Sequence, residues 1–381
     1  GQGRCAPRGP AAAGQLPVSL PRFEPDRYDA LLADKAARVS ALLAPFEPPP
    51  AKVAPSPPEA FRMRAEFRFW HDGDDSFYAM FDPAAPKEPL RVDDFPIACT
   101  PIRERMEPLR RALRSDGDLR RKLFQVEFLA TTTGEVLVTL AYHRRLDDAW
   151  ETAATALAAQ LGLAIVGRSR GQKVVIGRDW VTEQLTVDGR TCRYRQREQA
   201  FTQPNAAVNV AMLEWACAAA GELPGDLLEL YCGNGNFTVP LARHFPRVLA
   251  TELSKVSVRD ARHNLADNGV DNAAVVRLSA EEMSSALRGE RAFRRLAELP
   301  VPLEDHDLRT AFVDPPRAGL DPATLASLRR FDHLLYVSCN PDTLADNLAA
   351  LHDDYRITRF GLFDQFPYTG HMECAVALAR R

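Results

Sequence analysis

From about residue 201 to its end, the chain alternates short apolar runs with amphipathic helical ones, and this rhythm constrains the fold more than any other feature. A helix over 205–219 leads into the strand-like run Asp226-Leu-Leu-Glu-Leu-Tyr231. Then come a helix over 237–244, the strand Arg247–Glu252, a helix over 255–267 and the strand Ala274–Leu278. After a longer helical insert follow strand Thr310–Val313, helix 321–330, strand Leu334–Cys339, helix 341–350, strand Ile357–Phe363 and a last strand Cys374–Ala379. Strands separated by helices of this length pair in parallel, which gives a doubly wound α/β domain with a largely parallel sheet. Ligands in such domains bind beyond the carboxyl ends of the strands, so the residues just after each strand are where chemistry is to be sought.

The N-terminal half has a different period. Phe61-Arg-Met-Arg-Ala-Glu-Phe-Arg-Phe69 alternates apolar and charged residues strictly, the signature of a half-buried strand with Arg62, Arg64, Glu66 and Arg68 on its outer face. The turn His71–Asp75 leads to a second strand around Phe77–Phe81. Another pair, Leu123–Leu129 and Val136–His143, flanks the turn Thr131–Glu135. A helix over 147–161 and the short strands Leu163–Gly167 and Lys173–Gly177 complete an α+β region with an antiparallel sheet. Apolar residues at helical spacing predict a further helix over 26–43, ended by the prolines between Pro45 and Pro58. Residues 1–22 are rich in Ala, Pro and Gly without periodicity and read as a disordered tail. The expected organisation is a tail over 1–22, an N-terminal domain over 23–200 and the α/β domain over 201–381.

Composition then excludes several classes. The 381 residues are 46% hydrophobic and 26% charged, ordinary for a folded soluble protein. The net charge of −3 advertises no polyanion partner for the whole chain, but residues 1–200 carry 30 basic against 27 acidic side chains and residues 201–381 carry 18 against 24. Contact with a polyanion is therefore expected on the N-terminal half. Seven cysteines without a Cys-x-x-Cys pair suit reduced thiols better than disulfides, a zinc site or an iron–sulfur cluster. With no long apolar run and no signal-peptide core, a cytoplasmic protein without membrane contact is expected.

After the first strand of the α/β domain stands Tyr231-Cys-Gly-Asn-Gly-Asn-Phe237, and the second strand ends in Glu252, 17 residues beyond Gly235. Two glycines one residue apart let the backbone approach a ligand closely, and a carboxylate at the next strand end can accept hydrogen bonds from ribose hydroxyls. Together they point to a nucleoside cofactor. Thr238 stands where a dinucleotide fingerprint has its third glycine, so the loop fits S-adenosylmethionine better than a dinucleotide. Three later strand ends carry Val313-Asp-Pro-Pro-Arg317, Val337-Ser-Cys-Asn-Pro341 and Phe363-Asp-Gln-Phe-Pro-Tyr-Thr-Gly-His-Met-Glu-Cys374, all expected to open onto one cleft. Cys339 falls between a strand and a helix, where backbone N–H groups and the helix dipole are expected to lower a thiol pKa.

Those motifs resemble the RNA uridine C5-methyltransferase family. Phe61–Asp75, Lys122–Leu129 and Phe201–Asn205 are similar to its tRNA branch, the tRNA (uracil-5-)-methyltransferases. Ribosomal RNA members that hold an iron–sulfur cluster carry a cysteine group in the N-terminal half, and this chain has none. The resemblance implies a Rossmann-like class I S-adenosylmethionine methyltransferase domain with an N-terminal RNA-recognition domain. It further implies methylation of a uridine in the tRNA T loop, with the tRNA-like part of tmRNA as a further substrate, by a monomer that uses no metal. Cys339 is implied as the nucleophile that adds to C6 of the uracil, and Glu373 as the base that removes the C5 proton. Gln203, Tyr231, Asn236, Glu252 and Asp314 are implied as contacts to S-adenosylmethionine. Methylation of a ribosomal RNA uridine and a tRNA-folding role independent of methylation are the alternatives.

For the RNA, eight basic residues between Arg103 and Lys122 form the densest run, with four acids among them, so a salt-bridged helix face is the competing reading. Phe124, directly after it, is either a stacking wedge or a core residue. The strand face with Arg62, Arg64 and Arg68, and the run Arg193, Arg195, Arg197, are the other candidate surfaces.

Overall fold

The computed structural model describes residues 22–381; the expected tail lies, Arg22 apart, outside the described residues. The C-terminal half forms seven strands of one sheet in the order Ala273–Arg277, Val248–Glu252, Asp226–Leu230, Leu308–Val313, His333–Ser338, Glu373–Arg380, Tyr355–Phe363. All run parallel except Glu373–Arg380, which is antiparallel to both neighbours. Central strands such as His333–Ser338 are buried along nearly their whole length, which is why Leu334–Val337 reads as a continuous apolar run rather than an alternating one.

An eighth strand, Lys52–Ala54, joins this sheet at its edge, parallel to Gly361–Phe363. Helix Tyr28–Leu43 packs on the same sheet, with Tyr28, Leu32, Val39 and Leu43 in one buried cluster with Leu228, Leu334 and Tyr336. Residues 25–54, expected within the N-terminal domain, thus pack with the C-terminal sheet. The proline-rich stretch after the helix is a strand flanked by prolines and not only a helix stop.

The N-terminal sheet has seven strands in the order Pro89–Arg91, Asp75–Phe81, Arg64–Asp72, Leu123–Ala130, Val136–Tyr142, Ala164–Ser169, Gln172–Ile176. Its one parallel pair, Val136–Tyr142 with Ala164–Ser169, is bridged by the crossover helix Asp148–Leu161. That helix and Thr100–Ser115 cover the apolar face through Trp150, Ile102, Met106 and Leu109. Between the two sheets lies a hairpin, Trp180–Val187 with Arg190–Arg197, turning on Asp188-Gly189 with φ of 50° and 74°. It docks on helix Lys255–Asp267: Arg197 makes two 2.8 Å bonds to the Asp260 carboxylate, and Asn264 and Asn268 each accept a backbone N–H of the hairpin at 2.8 Å. Among the described residues no helix is long and apolar enough to cross a membrane.

Candidate active site

The loop after Asp226–Leu230 turns on three residues in left-handed backbone conformation: Tyr231 (φ 58°), Gly233 (56°) and Gly235 (87°). A Cβ on Gly235 would lie 3.7 Å from Ala261, an ordinary contact, so its positive φ and not crowding calls for glycine. A tyrosine held in that region is strained and must be fixed by its surroundings. The loop is fixed from behind. Asn234 donates to the Arg195 carbonyl, the Asn264 amide donates to the Asn234 carbonyl, and Asn236 exchanges amide hydrogen bonds of 2.9 Å with Asn209. Asn236, expected to contact cofactor, has its amide bonded to Asn209 and is not among the residues that line the cleft.

A cavity of about 630 Å³ opens at the carboxyl ends of the strands, and Gln203, Tyr231, Glu252, Asp314, Cys339 and Glu373 all line it. Sheet register explains how the last two meet. Ser338 is the final partner of Cys374 in the antiparallel ladder, so the next step sets Cys339 opposite Glu373. Asp314 leaves the adjacent strand, where Val313 pairs with Tyr336. Gln203 is carried by the segment before helix Ala206–Ala220, which the N-terminal sheet grips: Met63 N–H donates to the Pro204 carbonyl, and Arg64 donates to the Ala200 carbonyl at 2.9 Å.

Burial dominates the electrostatics. It pushes the Asp314 carboxyl up to about 7 and the Glu373 carboxyl well above its ordinary value, with Asp314 adding to the latter. The Cys339 thiol is pushed up to about 12 by burial and then by Glu373 and Asp314, against the opposing charge of Arg317. This overturns the expected lowering: helix Pro341–Leu351 starts beyond the sulfur, and two carboxyl groups face it. Glu373 Oε2 and Gln203 Oε1 are buried without a hydrogen-bond partner. A buried polar oxygen left open costs roughly 1–3 kcal/mol, so both mark places that a bound molecule completes. Glu252, also raised by burial, accepts the Ser254 N–H. The arrangement offers a nucleophile beside a proton-accepting pair, at the end of a pocket with nucleoside-binding geometry. Among the described residues no His, Cys, Asp and Glu side chains group to hold a metal ion.

The model of the family described as tRNA (Uracil-5-)-methyltransferase matches residues 27–381. The chain belongs to the tRNA (uracil-5-)-methyltransferase family. Relatives of this family named tRNA/tmRNA (uracil-C(5))-methyltransferase include one from Azotobacter vinelandii, 58% identical over 364 residues that cover 96% of this chain and all of that one. Another, from Pseudomonas entomophila, is 56% identical over 94% of this chain and 99% of its own. Among solved structures, the tRNA (uracil-54, C5)-methyltransferase of Pyrococcus abyssi, in complex with S-adenosyl-L-homocysteine, superposes with a TM-score of 0.69 at 23% identity. It covers 92% of this chain and 83% of that one, a likeness of fold.

Five of the eight basic residues in the run before Phe124 are held by hydrogen bonds to acidic side chains or turn carbonyls. Arg103 bonds Asp94 at 2.7 Å, Arg110 and Arg111 share Glu107, Arg114 bonds the Asp74 carbonyl, and Arg120 caps the turn carbonyls of Gly73 and Asp75. Of the candidates named from sequence, Phe124 and Arg68 meet on one surface, together with His143, Arg145 and Arg170, which were not named. Phe124 stacks on His143 with centroids 3.8 Å apart and planes 9° from parallel, Arg68 lies over Phe124, and Arg145 and Arg170 border the same depression. Neither Arg145 nor Arg170 has an ion pair among the described residues. The missed signal is a bulge: Phe124 falls between the pairs Leu123–Tyr142 and Gln125–Ala141, His143 follows Tyr142, and Arg145 comes two residues later. Phe201, Val256 and Phe366 also line the cleft and were not singled out.

Proposed function

We propose that this chain transfers a methyl group from S-adenosylmethionine to C5 of a uridine in the T loop of tRNA, position 54 in the numbering used for the Pyrococcus abyssi enzyme, and to the equivalent loop of tmRNA. It acts as a cytoplasmic monomer. The observation that carries the reading is the meeting of Cys339, Glu373 and Asp314 at the end of a nucleoside pocket in a chain of this family.

The pocket suits S-adenosylmethionine. Gln203 has an open buried oxygen for an amino group, Glu252 ends the second strand where ribose hydroxyls are bound in such folds, and Tyr231 closes one wall. When bound, that cofactor supplies an electrophilic methyl on a cationic sulfur, whose charge favours the ionised forms of the thiol and carboxyls.

Uracil C5 is a poor nucleophile until a group adds at C6. Cys339 releases its proton toward solvent and its sulfur bonds to C6, and the C5–C6 electron pair moves onto the C4 oxygen. C5 then takes the methyl with the electron pair returned from the C4 oxygen, and the pair of the broken methyl–sulfur bond would stay on the cofactor's sulfur, leaving a neutral thioether. Glu373 takes the C5 proton, the electrons of that C–H bond rebuild the C5–C6 double bond, and the sulfur–C6 bond breaks to return the thiolate. Burial suits Glu373 to this step, since a carboxylate in water would be too weak a base. The uridine must leave its stack to enter, and the Phe124–His143 platform with Arg68, Arg145 and Arg170 offers stacking and phosphate contacts that offset the cost of extrusion.

The test is incubation with cofactor and tRNA carrying 5-fluorouridine. Fluorine cannot leave as a proton does, so a covalent protein–RNA complex is expected, with the linkage on Cys339. Mass spectra that place the linkage elsewhere, or find none, overturn the reading. A linkage formed only with ribosomal RNA would move the substrate and keep the chemistry.

A further inference from the structure

The segment Asp364–Met372 joins the last two strands and ends at Glu373, and nearly everything that holds it comes from far earlier in the chain. Lys35, on helix Tyr28–Leu43, is buried against it and spends all three ammonium donors there. They go to Asp364 Oδ1 at 2.5 Å, the Phe366 carbonyl at 3.1 Å and the His371 carbonyl at 2.9 Å. The second Asp364 oxygen accepts the Tyr28 hydroxyl at 2.8 Å, and that hydroxyl accepts the Ser56 N–H at 2.7 Å. Arg38 donates to the Gly370 carbonyl, and Tyr368, at φ 66°, donates to the Pro58 carbonyl.

One ammonium thus ties the start of the segment to the carbonyl two residues before Glu373. A buried ion pair of this kind costs desolvation of both ions, so it is weak evidence of stabilisation and better evidence that a particular geometry is being fixed. The geometry in question is that of the proposed base. Glu373 has an oxygen with no partner, so nothing bonded to that oxygen aims it, and its direction follows from a backbone held on one side by the ladder partner Phe363 and on the other by the loop at His371–Met372. A general base must stand within hydrogen-bond reach of the proton it takes, and a displacement of about 1 Å can cost on the order of a hundredfold in rate.

We propose that Lys35 is a positioning residue for proton removal: by clamping Asp364, Phe366 and His371 it aims Glu373 at C5, and so governs release of the methylated uridine rather than formation of the covalent adduct. The proposal rests on the reaction proposed above and adds to it a residue outside the cleft.

The step-specific claim sets the test. Lys35→Met replaces the ammonium by an apolar chain of similar length. Covalent trapping of 5-fluorouridine tRNA is expected to stay within about twofold of the parent rate, because trapping needs only Cys339 and the cofactor. Turnover on ordinary tRNA is expected to fall at least about tenfold in kcat, with KM for tRNA and cofactor within about twofold and with methylated protein–tRNA adduct accumulating. A loss of trapping and turnover by one common factor, or no loss of either, overturns the proposal. Should Lys35→Met fail to fold because Asp364 is left buried and unpaired, the double variant Lys35→Met, Asp364→Leu removes both charges and is judged by the same split. Should that also fail, Lys35→Arg decides: it keeps the charge but misplaces the carbonyl contacts, and must slow turnover more than trapping. If the parent protein itself is not trapped, the proposed reaction fails, an outcome distinct from a trapped parent with an indifferent Lys35.

Discussion

Two groups of charged side chains in this molecule invite comparison, the arginines between Arg103 and Arg120 and the carboxyls of the cleft. Five of the six arginines, Arg103, Arg110, Arg111, Arg114 and Arg120, are bonded to Asp94, Glu107, Asp75 or the carbonyls of the first hairpin turn, while Arg105 bonds only the Pro101 carbonyl of its own helix. The cleft is the opposite: Glu373 and Gln203 keep buried oxygens without partners, and burial holds Asp314, Glu373 and Cys339 far from their ordinary acidities. Folding tends to satisfy polar groups wherever nothing else needs them, so a set left open at some energetic cost marks where a ligand completes the structure. The comparison separates the conspicuous in sequence from the functional in structure. It breaks most sharply on Cys339→Ala, for which methylation is expected to fall by at least about 1,000-fold with all trapping lost and little change in melting temperature.

Next in size is Glu373→Gln. Product formation on ordinary tRNA is expected to drop on the order of 100- to 1,000-fold, with methylated adduct accumulating and trapping retained. Normal turnover would remove Glu373 as the base. The same carboxyls give a stability signature. Both have folded-state pKa values raised above the unfolded ones, so the folded state holds its protons more tightly. Their stabilisation is complete below about pH 4 and is lost as pH rises, for Asp314 through about pH 7. Asp314→Asn should therefore flatten the fall in unfolding free energy of the free protein between about pH 4 and 7, by an amount on the order of a few kcal/mol. Denaturant titrations across that range check it, and an unchanged slope would show that Asp314 is not so buried in solution.

How much of this was legible in the sequence follows the same division. The α/β half was readable strand by strand because its strands are buried on both faces and each ends in an unusual loop, and six of the seven named site residues do line one cavity. Asn236 differs from the other six: its amide is paired with that of Asn209, 27 residues away, a partner that strand-and-loop reading does not see. The hairpin Trp180–Arg197 was passed over although Asp188-Gly189 between alternating runs is a strong turn signal. Strand Lys52–Ala54 was hidden because three residues among prolines carry no period, and its pairing is with Gly361, some 300 positions on. The lowered thiol pKa was an argument from one neighbouring helix. The actual environment depends on Asp314 and Glu373, which only sheet register brings beside Cys339.

The RNA surface sharpens the comparison at intermediate size. Phe124→Ala removes a ring stacked on His143 and covered by Arg68, where a base would add about 1–3 kcal/mol of stacking. Kd for tRNA is expected to rise roughly 5- to 150-fold, since 1.4 kcal/mol is tenfold. Fluorescence titration of tRNA reads the change, and an effect on cofactor affinity instead of tRNA affinity would make Phe124 a packing residue.

The smallest effect belongs to the run that looked most like an RNA site. Arg111 is exposed, shares Glu107 with Arg110 at 3.0 Å and is four residues from it on one helix, so Arg111→Ala forfeits one surface pair worth about 0.2–1 kcal/mol. Its guanidinium is already neutralised locally, so removal should leave Kd for tRNA within about twofold and barely alter the salt dependence of binding. Arg145→Ala, which takes away a cation with no acidic partner among the described residues, should lower the slope of log K against log salt by about one unit. If Arg111→Ala weakened tRNA binding as much as Arg145→Ala, an ion-paired arginine would be as available to phosphate as an unpaired one, and pairing would no longer distinguish structural from functional charge in this protein.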